Sequence, residues 1–489
     1  MSKAKSKVAP GLPGPDMTAF LHRIFYRVQL PKKETKALKE DFLRLFAFYA
    51  KNGMDAKAIE ARIGDDILGS FYRPASPGQW YRLDSAAKVY PLSMTHTHMT
   101  VFRVSAYMQE TVEPAVLQVA LLSTVKRFPV FSTAVRRGIF WHYFDAVRCR
   151  FAVRPEEAPP CSSFDLGHRQ TPCFQVLYYK DRISLEIFHA LTDGTGAMVF
   201  LQTLVKEYLR LLGHSAAENV NLPRLSDCPR EEETENAFSR AEKQHKGSGF
   251  LQKPALQPGA GRAKRKNARI LHFIMPTASL VDAAKKADCT VTLLLTRVLF
   301  AAVKETVLLA EPKDLMQVQI PVNMRRFYPS ETLRNFSLYA VISVPYGTDT
   351  NASLLPELSR QLAAQTSEES LAQMLYSANQ LASGRLVRMI PLVLKNFVLK
   401  KIYGFLGERV LSSTLSNLGR VEADFGTHVR FFDFVLGPSC KTNTKCTLVS
   451  YKDTAVLTVT DSMKDIQFVS TVAGELTKMG IPFQIEGVS

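Results

Sequence analysis

Hydrophobic and polar positions along this 489-residue chain change their period repeatedly, and each change marks an element. From Thr35 to Lys51 the residues Leu38, Phe42, Leu45 and Phe46 recur three and four apart, which predicts an amphipathic helix. A second helix is predicted from Asp55 to Arg62, with Asp55 as its N-cap. Val101 to Tyr107 reads as a strand, and Pro114 to Arg127 as a helix with Leu117, Ala120, Leu121 and Val125 inward. Cys173 to Phe188 alternates around Lys180-Asp181-Arg182, as a hairpin does. Met198, Leu201, Leu204, Val205, Tyr208 and Leu212 then share one helical face. The second half repeats the layout. Strands are predicted at Ile270–Met275, Leu315–Val322 and Ser337–Pro345, with helices at Thr277–Ala287 and Thr292–Val307. Further helices run to about Phe405, followed by strands near Thr414–Leu418, Val429–Leu436, Cys446–Tyr451 and Ala455–Thr460 and a closing helix at Lys464–Met479. Two similar runs of alternating strands and helices predict a pair of α/β sandwiches, each a mixed sheet covered by helices.

The junction Phe188-His189-Ala190-Leu191-Thr192-Asp193-Gly194 lies between the first hairpin and its following helix. It presents an imidazole at a strand tip, a carboxylate four residues on, and glycines for the turn. Histidine titrates near neutral pH, so it can take a proton from a hydroxyl, amine or thiol. Gly194 and Gly196 suit a tight exit that needs φ > 0, at one or the other position. By itself the string also fits a plain turn carrying a surface or core histidine.

Two later segments change that balance. Pro321-Val322-Asn323-Met324-Arg325-Arg326 is followed by Asn335-Phe336, and Ser416-Asn417-Leu418-Gly419 closes a predicted strand. With His189-x3-Asp193-Gly194, these three motifs in this order resemble those of the coenzyme-A-dependent acyltransferase superfamily, which includes chloramphenicol acetyltransferase and the condensation domains of peptide synthetases. Trp80-Tyr81-Arg82-Leu83-Asp84 and Ala87-Lys88-Val89-Tyr90-Pro91 resemble the opening of bacterial alcohol acetyltransferase-like proteins, the group with the nearest resemblance, and Arg127-Phe128-Pro129-Val130-Phe131 and Gly138-Ile139-Phe140-Trp141 resemble its next segment. Many of those relatives have two consecutive histidines, whereas Phe188 stands in place of the first here.

The resemblance implies two chloramphenicol-acetyltransferase-like sandwich halves forming a pseudo-dimer, with the site in a tunnel between them. It implies His189 as the general base of acyl transfer from an acyl-coenzyme A to a hydroxyl or amine, an O-acyl transfer first of all. It implies that Asp193 turns away from substrate and pairs with Arg325, Arg326 being the fallback. Gly194 supports the same loop, and Thr414, Ser416 and Asn417 are candidate substrate or oxyanion contacts. Acyl-coenzyme A is then a co-substrate and no metal is required. Two other readings remain: a catalytically silent binding protein, and a condensation enzyme acting on carrier-bound substrates, although no carrier attachment motif is recognisable.

On this basis residues 1–15 form a basic, disordered tail and 16–76 a small helical module for packing or docking. The first acyltransferase half spans 77–214, a hydrophilic linker or flap 215–268, and the second half 269–489. The linker runs from the acidic Glu231-Glu232-Glu233 to the basic Arg262-Ala263-Lys264-Arg265-Lys266. Within the second half, Leu386 to Phe405 mixes apolar residues with Arg385, Arg388, Lys395, Lys400 and Lys401, and Pro391 should kink it or mark its start. A core helix with snorkelling lysines is the preferred reading, a membrane-surface helix the other.

Charge narrows the partners. A formal net charge of +17 favours polyanions, among them anionic lipid and the phosphates of coenzyme A. No zinc-finger spacing, RNA-binding signature or helix-turn-helix supports nucleic acid as a partner. The seven cysteines are scattered without a CxxC pair, which suits reduced thiols in the cytoplasm. No signal peptide or uninterrupted apolar run of membrane-spanning length is present, so a cytoplasmic monomer, with peripheral membrane contact as an option, is expected.

Overall fold

The computed structural model describes residues 15–26, 28, 30–64, 67, 80–93, 99–162, 171–215, 222–240, 253–259, 264–383, 389–395, 410–438 and 442–488. Three helices open the chain: α1 (Pro15–Phe25), α2 (Lys32–Lys51) and α3 (Ala56–Ile63). Asp55 caps α3 by accepting from the Ala58 N–H at 2.8 Å. Leu38, Phe42, Leu45 and Phe46 are all buried, as their helical period predicts. These helices have no core of their own: their apolar faces continue the core of the first lobe. Tyr49 OH donates to the Leu211 carbonyl at 2.7 Å, and the buried Asp41 pairs with Arg150. The expected tail falls, except for its last residue, outside the described residues.

The first lobe holds β1 (Trp80–Arg82), α4 (Tyr90–Ser93), β2 (Val101–Met108), α5 (Pro114–Val125), β3 (Thr133–Arg137), β4 (His142–Ala146), β5 (Val153–Pro155), β6 (Phe174–Tyr179), β7 (Arg182–Phe188) and α6 (Gly194–Leu212). The second holds β8 (Lys264–Pro276), α7 (Thr277–Lys286), α8 (Val291–Thr306), β9 (Leu315–Asn323), β10 (Ser337–Pro345), α9 (Leu355–Gln365), α10 (Glu368–Ser383), β11 (Ser413–Val421), β12 (Val429–Leu436), β13 (Thr444–Tyr451), β14 (Thr454–Met463), α11 (Gln467–Lys478) and β15 (Gln484–Gly487). The second lobe's sheet is mixed and seven-stranded, in the order β10-β9-β11-β13-β14-β8-β15, with β11 parallel to both β9 and β13. The first lobe has a five-stranded sheet, β12-β2-β7-β6-β5, and a small β1-β4-β3 sheet. α8 lies against both α11 and the sheet, which explains why it is apolar around most of its circumference.

One strand changes lobes. β12 comes from the second half of the sequence but pairs antiparallel with β2, Phe434 opposite Val104. Along β2, Phe102, Val104 and Ala106 face the first lobe's core, so Arg103, Ser105 and Tyr107 face the opposite way. That second face carries a buried polar chain. Arg103 pairs with Glu156 at 2.8 Å and Glu186 at 2.7 Å, and Arg182 also reaches Glu156 at 2.8 Å. Tyr107 OH donates to Asp433 on β12 at 3.1 Å, and His272 of β8 lies 3.2 Å from the same carboxylate. The lobes therefore meet partly through paired charge, and Asp433 joins the two sheets.

Of the predicted Leu386–Phe405 helix, only residues 389–395 are described. Leu392 and Lys395 are buried there, but Met389, Ile390, Val393 and Leu394 are exposed. In this part the core reading fails, because only one side of the short segment is covered.

Candidate active site

β7 is buried along its whole length, so it delivers His189 from a rigid strand end. The His189 N–H donates to the Thr100 carbonyl at 2.9 Å, which extends the β2–β7 ladder by one bond. His189 as a residue is half-buried; its imidazole stacks on Tyr90 with centroids 4.5 Å apart and meets the Phe102 ring edge-on at 4.9 Å. Burial pushes its pKa below the ordinary value; its own backbone, the Asp193 charge and the Asn335 side chain oppose this, and the Lys445 ammonium adds to it. The downward shift favours the neutral ring, the form that accepts a proton. Nδ1 is buried and makes no well-formed hydrogen bond among the described residues.

Asp193 is the N-cap of α6 and the point where the motifs converge. Its Oδ1 accepts from the Gly196 N–H at 3.1 Å. Its Oδ2 accepts from Arg325 Nη1 at 2.8 Å, the Phe336 N–H at 2.9 Å and Ser337 Oγ at 3.1 Å. Burial alone would raise this carboxyl, yet the Arg325 guanidinium and the backbone N–H donors hold it below the usual carboxylate range. Arg325 is itself fixed by the Thr332 carbonyl at 3.0 Å and the Arg334 carbonyl at 2.6 Å. Arg326 is exposed instead.

The glycines serve a purpose other than the one expected. Neither Gly194 nor Gly196 has a positive φ. A Cβ on Gly194 would stand 2.6 Å from Leu418 Cδ2, and one on Gly196 would collide with the Leu333 carbonyl and the Thr192 hydroxyl. Both are small because the second lobe presses on the start of α6. Asn323 Nδ2 donates to Thr195 Oγ1 at 3.3 Å, so the end of β9 touches the same turn. β9 and β11 pair through Ser413 and Thr414, with the Ser412 N–H donating to the Gln317 carbonyl at 2.8 Å, and beyond Thr414 their ends both meet α6.

Leu415 of β11 packs into the second lobe's core, so Thr414, Ser416 and Leu418 share the opposite face. Leu418 reaches the histidine loop from there, while Thr414 Oγ1 lies 3.4 Å from Gln319 Oε1. Asn417 is engaged elsewhere: it donates to Thr292 of α8 at 3.1 Å and accepts from the Gly419 N–H at 2.8 Å.

Two parts of the arrangement were not foreseen. Asn335 Nδ2 donates to the Ala190 carbonyl at 3.1 Å and stands 3.5 Å from Oδ2 of Asp84, a fully buried carboxyl that burial pushes up and Arg334 pulls down. Asp84 ends the Trp80–Asp84 string and Asn335 opens Asn335-Phe336, but nothing in the sequence joins the two through the histidine loop. The second surprise is the linker. Glu233 is buried, forms a two-pronged pair with Arg127 at 2.5 and 2.6 Å, and its carbonyl accepts from the Leu333 N–H at 2.8 Å. Residues 231–240 therefore brace the Arg325–Phe336 loop rather than hang free. A cavity of about 500 Å³ opens beside this brace, lined by Glu232, Arg240, Arg325, Pro329, Ser330 and Glu331. Among the described residues no three His, Cys, Asp or Glu side chains converge as a metal site, and no helix is long and apolar enough to cross a membrane.

No protein-family model matches the sequence, and no curated protein does either. Solved structures do match in shape. TRI101 of F. graminearum, in complex with coenzyme A and deoxynivalenol, superposes with a TM-score of 0.56 at 11% identity, covering 84% of this chain and 100% of that one. A mutant starter condensation domain of rhizomide synthetase RzmA, in complex with C8-CoA, gives 0.52 at 13% identity over 82% and 94%. Polyketide synthase associated protein 5 of Mycobacterium tuberculosis gives 0.51 at 11% identity over 81% and 97%. The chain thus has the two-lobed α/β fold of coenzyme-A-dependent acyltransferases and condensation domains.

Proposed function

We propose that this chain, built on that fold, is an acyltransferase that moves an acyl group from acyl-coenzyme A to a hydroxyl or amine acceptor, with His189 as general base. The observation that carries the reading is the His189 imidazole at the end of β7, on a loop held from both lobes through Asp193 and Arg325. The acceptor's proton passes to the imidazole as its oxygen or nitrogen bonds to the thioester carbonyl carbon. The C–S bond then breaks and the imidazolium returns the proton to the leaving thiolate, so the base is regenerated. Proton transfer of this kind contributes roughly 10²–10⁴ in rate, and positioning with oxyanion donors must supply the rest. Ser416 and Thr414, on the face of β11 that Leu418 shares, are the donors we favour. TRI101 and RzmA, whose structures contain coenzyme A or an acyl form of it, make this co-substrate the first to try.

A catalytically silent binding protein is the second reading. It is favoured by the position of two surface cavities, the one beside Arg325 and one of about 340 Å³ lined by Lys253, Gln317 and Gln365, neither of which His189 lines. Incubating the protein with acyl-coenzyme A donors of several chain lengths and a panel of alcohols and amines separates the two. Release of free thiol that depends on the acceptor supports the transferase. No release across every donor and acceptor supports the binder.

A further inference from the structure

A large exposed apolar surface of the molecule has no part in the proposed chemistry. β3 and β4 form a hairpin with Ile139 and Phe140 at its tip, 76% and 45% exposed. Beside it lie Met389 (75%), Ile390 (41%), Val393 (64%) and Leu394 (58%). Scattered exposed apolar residues are ordinary, but six on two adjoining segments are not. The segments are fastened together: the Leu392 N–H donates to the Ile139 carbonyl and Lys395 Nζ to the Phe140 carbonyl, both at 2.8 Å. The Lys395 ammonium also stands 3.9 Å from the Trp141 ring centroid, and Lys88 stands 5.1 Å from it on another approach. This is one built surface rather than two loose loops.

Its charge in the sequence is basic. The exposed Arg137 leads into the tip, with Arg136 paired to Asp145 behind it, and the stretch of sequence from Arg385 to Gly407, of which 389–395 are described, contains five basic residues and no acidic one. Exposed apolar side chains within a stretch whose only charges are basic match an anionic bilayer, where the first enter the acyl boundary and the second meet the headgroups. A second copy of the chain would instead set two positive fields against each other. We propose that this surface docks the protein onto an anionic lipid bilayer. The site is close at hand, because Lys88 stands over the Trp141 ring and Tyr90, two residues on, stacks on His189. The docking itself does not depend on the acyl-transfer reading.

The test is co-sedimentation of the full chain with vesicles of phosphatidylcholine alone or mixed with phosphatidylglycerol, at low and high salt. The wild type should sediment with the phosphatidylglycerol vesicles, less so at high salt. The pairs Ile139→Ser with Phe140→Ser, and Val393→Ser with Leu394→Ser, should each lower partitioning by about tenfold or more, as removal of large buried apolar side chains does. Leu308→Ser with Leu309→Ser, exposed elsewhere at 56% and 90%, should change nothing. Melting curves confirm that each variant is folded. No sedimentation of the wild type, equal binding by all variants, or a dimer that these pairs dissociate with vesicle binding unchanged would each overturn the proposal.

Discussion

Asp193 gathers its donors from α6 and from the Arg325–Ser337 stretch, so it ties the lobes together at the candidate site. Removing one partner of a buried pair strands the other charge, at a cost of roughly 3–5 kcal/mol. Asp193→Ala should therefore lower the denaturant midpoint sharply, whereas His189→Ala, which breaks no ion pair, should leave the midpoint close to wild type. Histidine also sets a pH dependence. Burial, and for His142 the neighbouring Arg137, lowers the folded-state pKa of His189 and of His142, the latter to about 4 from an ordinary 6.5. The folded protein then binds fewer protons than the unfolded one within that interval, so stability rises with pH there. It should fall as pH drops below about 6.5 toward 4, read as a declining melting temperature, and replacing His142 by Gln should flatten the decline. At this scale the Asp193–Arg325 ion pair was legible, through the resemblance of the motifs that hold the two residues. What the glycines do was not. Crowding by Leu333 and Leu418 comes from another lobe, and spacing along one segment carries no trace of it.

At the scale of elements, period and capping set most boundaries. Ser337–Pro345 is a strand as read, and α8 runs from Val291 to Thr306 with its cap on Thr290, one residue from the prediction at each end. Such segments were legible because burial on one side or both leaves its own period in the sequence. The acidic run at 231–233 misled for a matching reason. Hydrophilic composition signals solvent unless a buried partner exists, and Arg127, over a hundred residues earlier, is that partner. The start of α6 offers the sharpest test of how closely the lobes are fitted. Gly196→Ala should destabilise by about 1–3 kcal/mol through overpacking against the Leu333 carbonyl, with the secondary structure intact by circular dichroism. Ala197→Gly, one residue along and buried within the same helix, should cost only the usual ~1 kcal/mol of a helical glycine.

At the scale of the molecule, the fold class was legible from the repeated alternation of strands and helices, while the strand neighbours were not. Alternation tells which face of a strand is buried but not which sheet it joins, so nothing in Val429–Leu436 announces that β12 pairs with β2. The N-terminal helices show the same limit: their periodicity was plain, but not that Phe42, Leu45 and Tyr49 complete the first lobe's core. Deleting residues 1–76 should uncover that core and give an insoluble or molten product, judged by recovery in the soluble fraction and by dye binding to exposed apolar surface. A soluble, cooperatively melting truncation would instead show that the module is dispensable.

The central claim is that one neutral imidazole between the lobes takes the acceptor's proton. Its most direct test compares wild type with His189→Ala, matched for folding, in acceptor-dependent release of thiol from the best acyl-coenzyme A donor. A fall of roughly 10²–10⁴ in turnover, with donor binding little changed, is the predicted result. Turnover that survives the substitution would contradict it.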